Sequence, residues 1–461
     1  MLTRENLEEI LFASLKTGAD FAEIFIEDTH ATSINCEDNK IEKIAAGTES
    51  GAGLRIIKGK ETAYSALTDL SLDALLQAAK QLSQSFSGEN QFKKIELKPR
   101  VAINQVLAKD LIRPEQVAIE EKAAKVENLD QTARSFGEKI KQVTVRYTDS
   151  NQAVTIANSE GVYVEDNRIY SRYFINVIVE KDQLLQTGYE APGIAGGFEI
   201  FDLYPAEEYA AKATERALKM LEAPYAPAGK MAVVLSSAGG GTLVHEACGH
   251  ALEADFALKG TSIFTAKIGQ KVASQLVTVM DGANLPGKFG SFSFDDEGTP
   301  SQATTLIEQG ILKAYMSDHF NAKQLKIPLS GNGRRESFKT KPVPRMTNTY
   351  IAPGKMDPEE IIASVKDGLL VKKMGGGQVN VVNGDFVFEV SEGYLIENGK
   401  IKHPVRGAIL TGNGPQILEI IDMVGSDLGF QAGVCGKFDL VPVSHAQPTI
   451  RVPEIIVGGR V

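Results

Sequence analysis

Apolar side chains first recur at helical spacing: Leu7, Ile10, Leu11 and Leu15 lie three or four apart. With Thr3 as a cap and Gly18 as a stop, the pattern predicts a helix over residues 3–17. The period then drops to two. DFAEIFIED (20–28), TSINCEDNKIEKIAAG (32–47) and GAGLRIIKGKETAYSAL (51–67) read as strands, with turns at Asp38-Asn39 and Lys58-Gly59. SLDALLQAAKQLSQSF (71–86) returns to helical spacing. This order predicts an antiparallel sheet with helices on one face.

Residues 86–112 are polar and irregular. A long amphipathic helix is expected over 114–136, with Pro114 at its first turn. Residues 139–181 read as three or four meandering strands, and 205–223 as a closing helix. PYAPAGK (224–230) is rich in Pro, Ala and Gly and reads as a linker. The expected organisation is an α+β domain over 1–223, a linker over 224–230 and a β-rich domain over 231–461. In that second half, LIEQGILK (306–313) and LIENGKIK (395–402) read as two β-hairpins with glycine turns.

The segment MAVVLSSAGGGTLVHEACGHAL (231–252) reads as a buried strand, a glycine turn and the start of a helix bearing His245, Glu246 and His250. A catalytic zinc site uses about three protein ligands and a water. Histidines four apart lie about 40° apart around a helix, but histidines five apart lie about 140° apart. His245 and His250 therefore cannot meet one ion on a regular α-helix. An irregular metal-binding helix is predicted, distorted at Cys248–Gly249 by a π-bulge or an early end. Candidates for a third ligand are Cys248, Cys435, His319, His403, His445 and many carboxylates. Cys248 sits three residues after His245 and also reads as a small packed residue. Cys435, between Gly433 and Gly436, reads as lying on a glycine-lined loop.

Composition narrows the function. The formal net charge is −10, which argues against direct nucleic-acid binding. No apolar run approaches a membrane span, and the N-terminus has no signal-like core. Three cysteines make a disulfide framework improbable and point to a reducing cytoplasm. AGGGTLVHE lacks the Lys-Ser/Thr of a phosphate loop. Asp295, Asp296 and Glu297 read as a solvated acidic loop, with a second cation site as the alternative. Cys36 reads as structural.

HEACGH after a glycine run, with DDEG at 295–298, PRMTNTYIAPG at 344–354 and GVCGK at 433–437, resembles the TldD/PmbA family of zinc metalloproteases. The intact motif resembles its metal-bearing branch. That resemblance implies His245, His250 and Cys435 as zinc ligands and Glu246 as the catalytic carboxylate. It further implies a homodimer, or a heterodimer with a metal-lacking paralogue, acting on peptide precursors or small, partly unfolded proteins. The alternative is a regulatory, partner-binding protein whose zinc is structural. Arg334, Arg335, Arg345, Tyr350 and His319 are candidates for stabilising an oxyanion. The strand-rich second half suggests that substrate binds extended along a strand edge.

Overall fold

The computed structural model describes residues 2–90, 94–102 and 106–459. The fold is α+β. Its first half is one largely antiparallel sheet built on long strands: Phe21–Glu37, Lys40–Lys58, Ile140–Asn158 and Val162–Lys181. Phe21–Glu37 and Ile140–Asn158 pair at the centre, flanked by Lys40–Lys58 and Val162–Lys181 respectively. Residues 139–181 thus form two strands and not a meander of three or four. Asn158–Gly161 makes their single turn, with Gly161 at φ 86°. The polar stretch 149–152 makes no turn and continues the ladder opposite Ser171–Arg168.

The order helix, three strands, helix opens the chain and recurs, the second time with a two-residue strand, Gly193–Ile194, and a one-turn helix, Ile200–Leu203, before the closing helix. Arg4–Ser14 and Leu72–Ser83 enclose the first three strands; Ile119–Arg134 and Ala206–Glu222 enclose Ile140–Asn158, Val162–Lys181 and Leu184–Glu190. Pro114 does not begin the third of these helices. It opens a separate 3₁₀ turn, Pro114–Gln116, which Val117 ends by turning extended.

The strand period of two sorts the sheet's faces. Ala22, Ile24, Ile34 and Cys36 pack with the helices, as do Val143, Val145 and Tyr147. Phe25, Val154, Ile156, Val162 and Val164 point the other way and pack with Phe294 and Phe338 of the second half. The helices therefore cover one face, as expected, and the second half covers part of the other.

Besides a two-stranded sheet, Gly333–Arg334 with Val343–Pro344, that second half contains two large sheets. In one, Asp367–Val379, Gly229–Leu235, Ile450–Gly458, Ile409–Asn413 and Asp385–Glu397 pair in a closed ring. The other runs Ile311–Leu312, Ala303–Glu308, Val279–Gly282, Asn348–Ile351, Leu440–Gln447 and Gly429–Gly436, which leaves the last strand at an edge. Both glycine hairpins are present, turning at Gln309-Gly310 and Asn398-Gly399 with positive φ at all four residues. Among the described residues no helix is long and apolar enough to cross a membrane.

The acidic run 295–297 is not a solvated loop. Asp295, Asp296 and Glu297 are buried, and the junction between the halves supplies counter-charges to the last two. Arg55 bridges Glu297 and Glu23, Arg168 pairs with Asp296, and Arg335 reaches Glu23 at 2.6 Å. The solvated-loop reading does not describe these carboxylates: Asp296 and Glu297 pair with arginines, and Asp295 accepts the backbone N–H groups of Glu297, Thr299 and Gly333.

Candidate metal centre

Gly229–Leu235 is a central strand, paired on both sides. It delivers the chain into the turn Ser236–Gly241, where a Cβ on Gly241 would sit 2.5 Å from the Ala446 backbone. Only glycine lets this turn lie against the strand Leu440–Gln447. A short α-helical turn, Thr242–Val244, follows. It passes into a π-helical turn at His245–Gly249 and a 3₁₀ turn at His250–Leu252. The irregularity falls where the five-residue spacing requires it. The His250 N–H bonds to the His245 carbonyl, an i→i+5 closure that places one imidazole above the other. Their ring centroids are 5.1 Å apart.

The third donor arrives from the other sheet. Cys435 lies on the edge strand Gly429–Gly436 and not on a loop, and its Sγ is 3.4 Å from His250 Nε2. Ligand atoms of His245, His250 and Cys435 all lie within 4.8 Å of one another. Cys248 turns away and contacts the Val244 carbonyl at 3.3 Å. His403 is exposed on Lys400–Val405, and His319 stacks on Phe21 at 3.9 Å beside Glu160. His445 is a near neighbour, its ring 5.5 Å from that of His245, outside the three-donor group.

Surrounding charges orient these donors. Glu253, fully buried, approaches His250 Nδ1 at 3.5 Å and is held by Lys437 at 3.0 Å. A carboxylate behind one ring nitrogen leaves the other to face a metal. Burial alone would lower the His250 pKa, but Glu253 and Cys435 outweigh it and hold it well above the ordinary value. His245 is pushed the other way by burial and by His250, and its Nδ1 is buried without a hydrogen-bond partner. Burial also raises the Glu246 carboxyl above the usual range. Two imidazoles, a thiol and an orphaned buried ring nitrogen fit a borderline-soft cation such as zinc.

The oxyanion candidates are committed elsewhere. Arg345 is fully buried; it pairs with Asp439 and donates to the Cys435 carbonyl at 2.6 Å. Arg334 donates to the Met346 carbonyl at 2.7 Å and Arg335 belongs to the junction. Tyr350 faces Phe430, with ring centroids 5.9 Å apart. The sequence reading missed Glu253 and Lys437. Both sit within three residues of a candidate ligand, and that closeness was the available signal.

Three segments match the PmbA/TldA metallopeptidase domains: residues 22–85 domain 1, 112–221 the central domain and 228–459 the C-terminal domain. A "Metalloprotease TldD homolog" of Haemophilus influenzae is 37% identical, over 99% of this chain and 97% of that protein. A "Zinc metalloprotease TldD homolog" of Saccharolobus solfataricus is 27% identical, over 96% of this chain and 98% of that protein. The solved structure of TldE from Thermococcus kodakarensis superposes with a TM-score of 0.75 at 19% identity, covering 99% of this chain and 100% of that one.

Proposed function

The chain belongs to the PmbA/TldD family of metallopeptidases, and on that footing we propose that it is a cytoplasmic, zinc-dependent peptidase acting on extended, unfolded or flexible polypeptides. One observation carries the reading: two histidines and a cysteine converge within 4.8 Å beside Glu246. Among the described residues three protein donors, not four, converge; that leaves a place for water, which weighs against a closed structural site. The Saccharolobus relative's name favours zinc. Zinc in this place supplies Lewis acidity and lowers the pKa of a bound water to about 7.

The remaining roles fall to this chain's side chains. Glu246, partly buried and with a raised pKa, takes a proton from the attacking water and hands it to the leaving amine. Glu253 fixes the His250 ring, and Arg345 fixes the Cys435 backbone. The edge strand Gly429–Gly436 offers unpaired backbone groups to an extended substrate. A binding mode built on main-chain pairing selects for unfolded segments. The proposal includes a paired subunit, either a second copy or a metal-lacking relative. The test is Glu246→Gln: zinc content stays unchanged while casein-type hydrolysis disappears. Hydrolysis that persists with metal bound would reject the role of Glu246.

A further inference from the structure

Beside the metal cluster lies a cavity of about 540 Å³ at the junction of the halves. Arg172 and Tyr189 of the first sheet form one wall, and Phe430, Gln431 and Ala432 of the edge strand form another. His445 lines it too, 5.5 Å by ring centroid from His245. The edge strand thus runs from the cavity to Cys435. Ala432 precedes Cys435 by three residues, about 10 Å along a strand.

The cavity's charge is opposite to the chain's. Arg172, Lys212, Arg216, Lys288, Lys372 and Lys373 line it against the carboxylates Glu190 and Glu392. That is an excess of four positive charges in a chain whose net charge is −10. The two carboxylates are already engaged: Glu190 by Lys373 at 2.7 Å and Arg216 at 2.6 Å, and Glu392 by Arg216 at 2.9 Å. Lys212 pairs with Glu208. Among the described residues Arg172, Lys288 and Lys372 form no ion pair. Lys288 lies over the Phe430 ring at 4.5 Å, and Lys372 over Tyr394 at 5.0 Å. The Nε of Arg172 is buried with no hydrogen-bond partner. Burial lowers the pKa of both Arg172 and Lys288, and Arg146 lowers that of Arg172 further. Ring contacts recover only part of the cost of desolvating a cation. An anion would recover more.

We propose that this cavity is a carboxylate subsite, which takes an acidic side chain or the C-terminal carboxylate of the substrate within about three residues of the scissile bond. The proposal rests on the peptidase reading, and it names the substrate class that the site prefers. A charge-assisted hydrogen bond to the carboxylate favours acidic over neutral peptides by about tenfold or more. Added salt weakens the preference.

The test uses matched fluorescent peptides: Glu against Gln at each of three positions on either side of one central bond, and a free C-terminal carboxylate against the amide. Binding to the zinc-free protein is measured first, then kcat/KM with the zinc-loaded protein. The expected result is at least one pair whose acidic member binds about tenfold tighter, with the ratio falling toward one in Lys288→Met and in Lys372→Met. The winning pair tells a side chain from a C-terminus. Ratios of one throughout, or a ratio untouched in both folded variants, overturn the subsite. Selective binding without any hydrolysis keeps the subsite and removes the peptidase reading.

Discussion

Gly249→Ala separates the two effects that decide the irregular turn. Gly249 has φ −52° and ψ −59°, a right-handed conformation that alanine adopts freely. Backbone preference alone would make the substitution stabilising by about 1 kcal/mol. Packing opposes it. A Cβ at 249 would lie 2.3 Å from Met346 Sδ and 3.2 Å from its Cε. Met346 is fully buried, so its thioether cannot swing aside without displacing core neighbours. Overpacking of this kind costs about 1–3 kcal/mol, so sterics equal or exceed propensity and the net loss is about 0–2 kcal/mol. The shifted backbone carries His250 with it, and zinc affinity should drop about tenfold or more, the effect typical of disturbed ligand support. Denaturant unfolding of the zinc-free protein reads the first quantity, and chelator competition reads the second. In a Met346→Ala background the Cβ finds space, so Gly249→Ala should become neutral or stabilising there. The coupling between the two sites should then be about 1 kcal/mol or more. An equal effect in both backgrounds, or a stabilised variant with unchanged zinc affinity, refutes the argument.

Other substitutions probe the junction and the thiols. Arg55→Met leaves Glu23 and Glu297 short of their shared guanidinium and should cost about 3–5 kcal/mol in denaturant unfolding, with partial recovery when Glu297→Gln is added. Asp318 is buried, and burial followed by Glu297 pushes its pKa above the usual carboxylate range, up to about 7. A raised carboxyl pKa means that only the folded state keeps the proton between about 4 and 7, so the penalty is absent below about 4, grows up to about 7 and is constant above it. Asp318→Asn keeps the helix cap, so its melting temperature should match the parent's near pH 4 and exceed it near pH 8; a pH-independent difference contradicts this. Burial raises the thiol pKa to about 11 at Cys36 and about 12 at Cys248, so alkylation of the zinc-free protein at pH 8 should mark Cys435 first. Mass spectrometry should show that zinc suppresses that label; Cys248 reacting first would move the third ligand.

Local pattern made much of the metal segment legible. Histidines five residues apart cannot share an ion on a regular helix, and that conflict predicts a distortion at Cys248–Gly249, a π-bulge or an early end; the fold has a π turn there. Two-residue glycine hairpins were equally readable, because their positive φ is written in Asn-Gly and Gln-Gly. Long-range facts were not. Strands of 19 and 20 residues looked like several short ones, because polar positions on a two-sided sheet mimic turns. The acidic run at 295–297 reads as solvated because Arg55 and Arg168, which pair with Glu297 and Asp296, lie more than 100 residues away in sequence. Cys435 was placed on a loop because flanking glycines read as a turn; here they serve an edge strand with small residues beside the cluster.

The junction charges and the metal site form one connected structure. Arg335 holds Glu23 of the first sheet, and the next residue's N–H, that of Glu336, bonds to Asp439 at 3.0 Å. Asp439 pairs with Arg345, which holds the Cys435 carbonyl at 2.6 Å and faces Glu253 at 3.9 Å. Glu253 then meets His250. Ion pairs this deeply buried yield little net stability, since desolvation offsets their attraction. What they fix is position: a partner shifted by an ångström leaves a charge unpaired at a cost of several kcal/mol. Cys435 lies on a strand and His250 on a 3₁₀ turn, 185 residues apart, and no local preference can bring them together. The charge chain supplies that alignment and ties it to the docking of the first sheet. The first half is therefore part of the site's construction, as a wall of the cavity and as an anchor for the ligands.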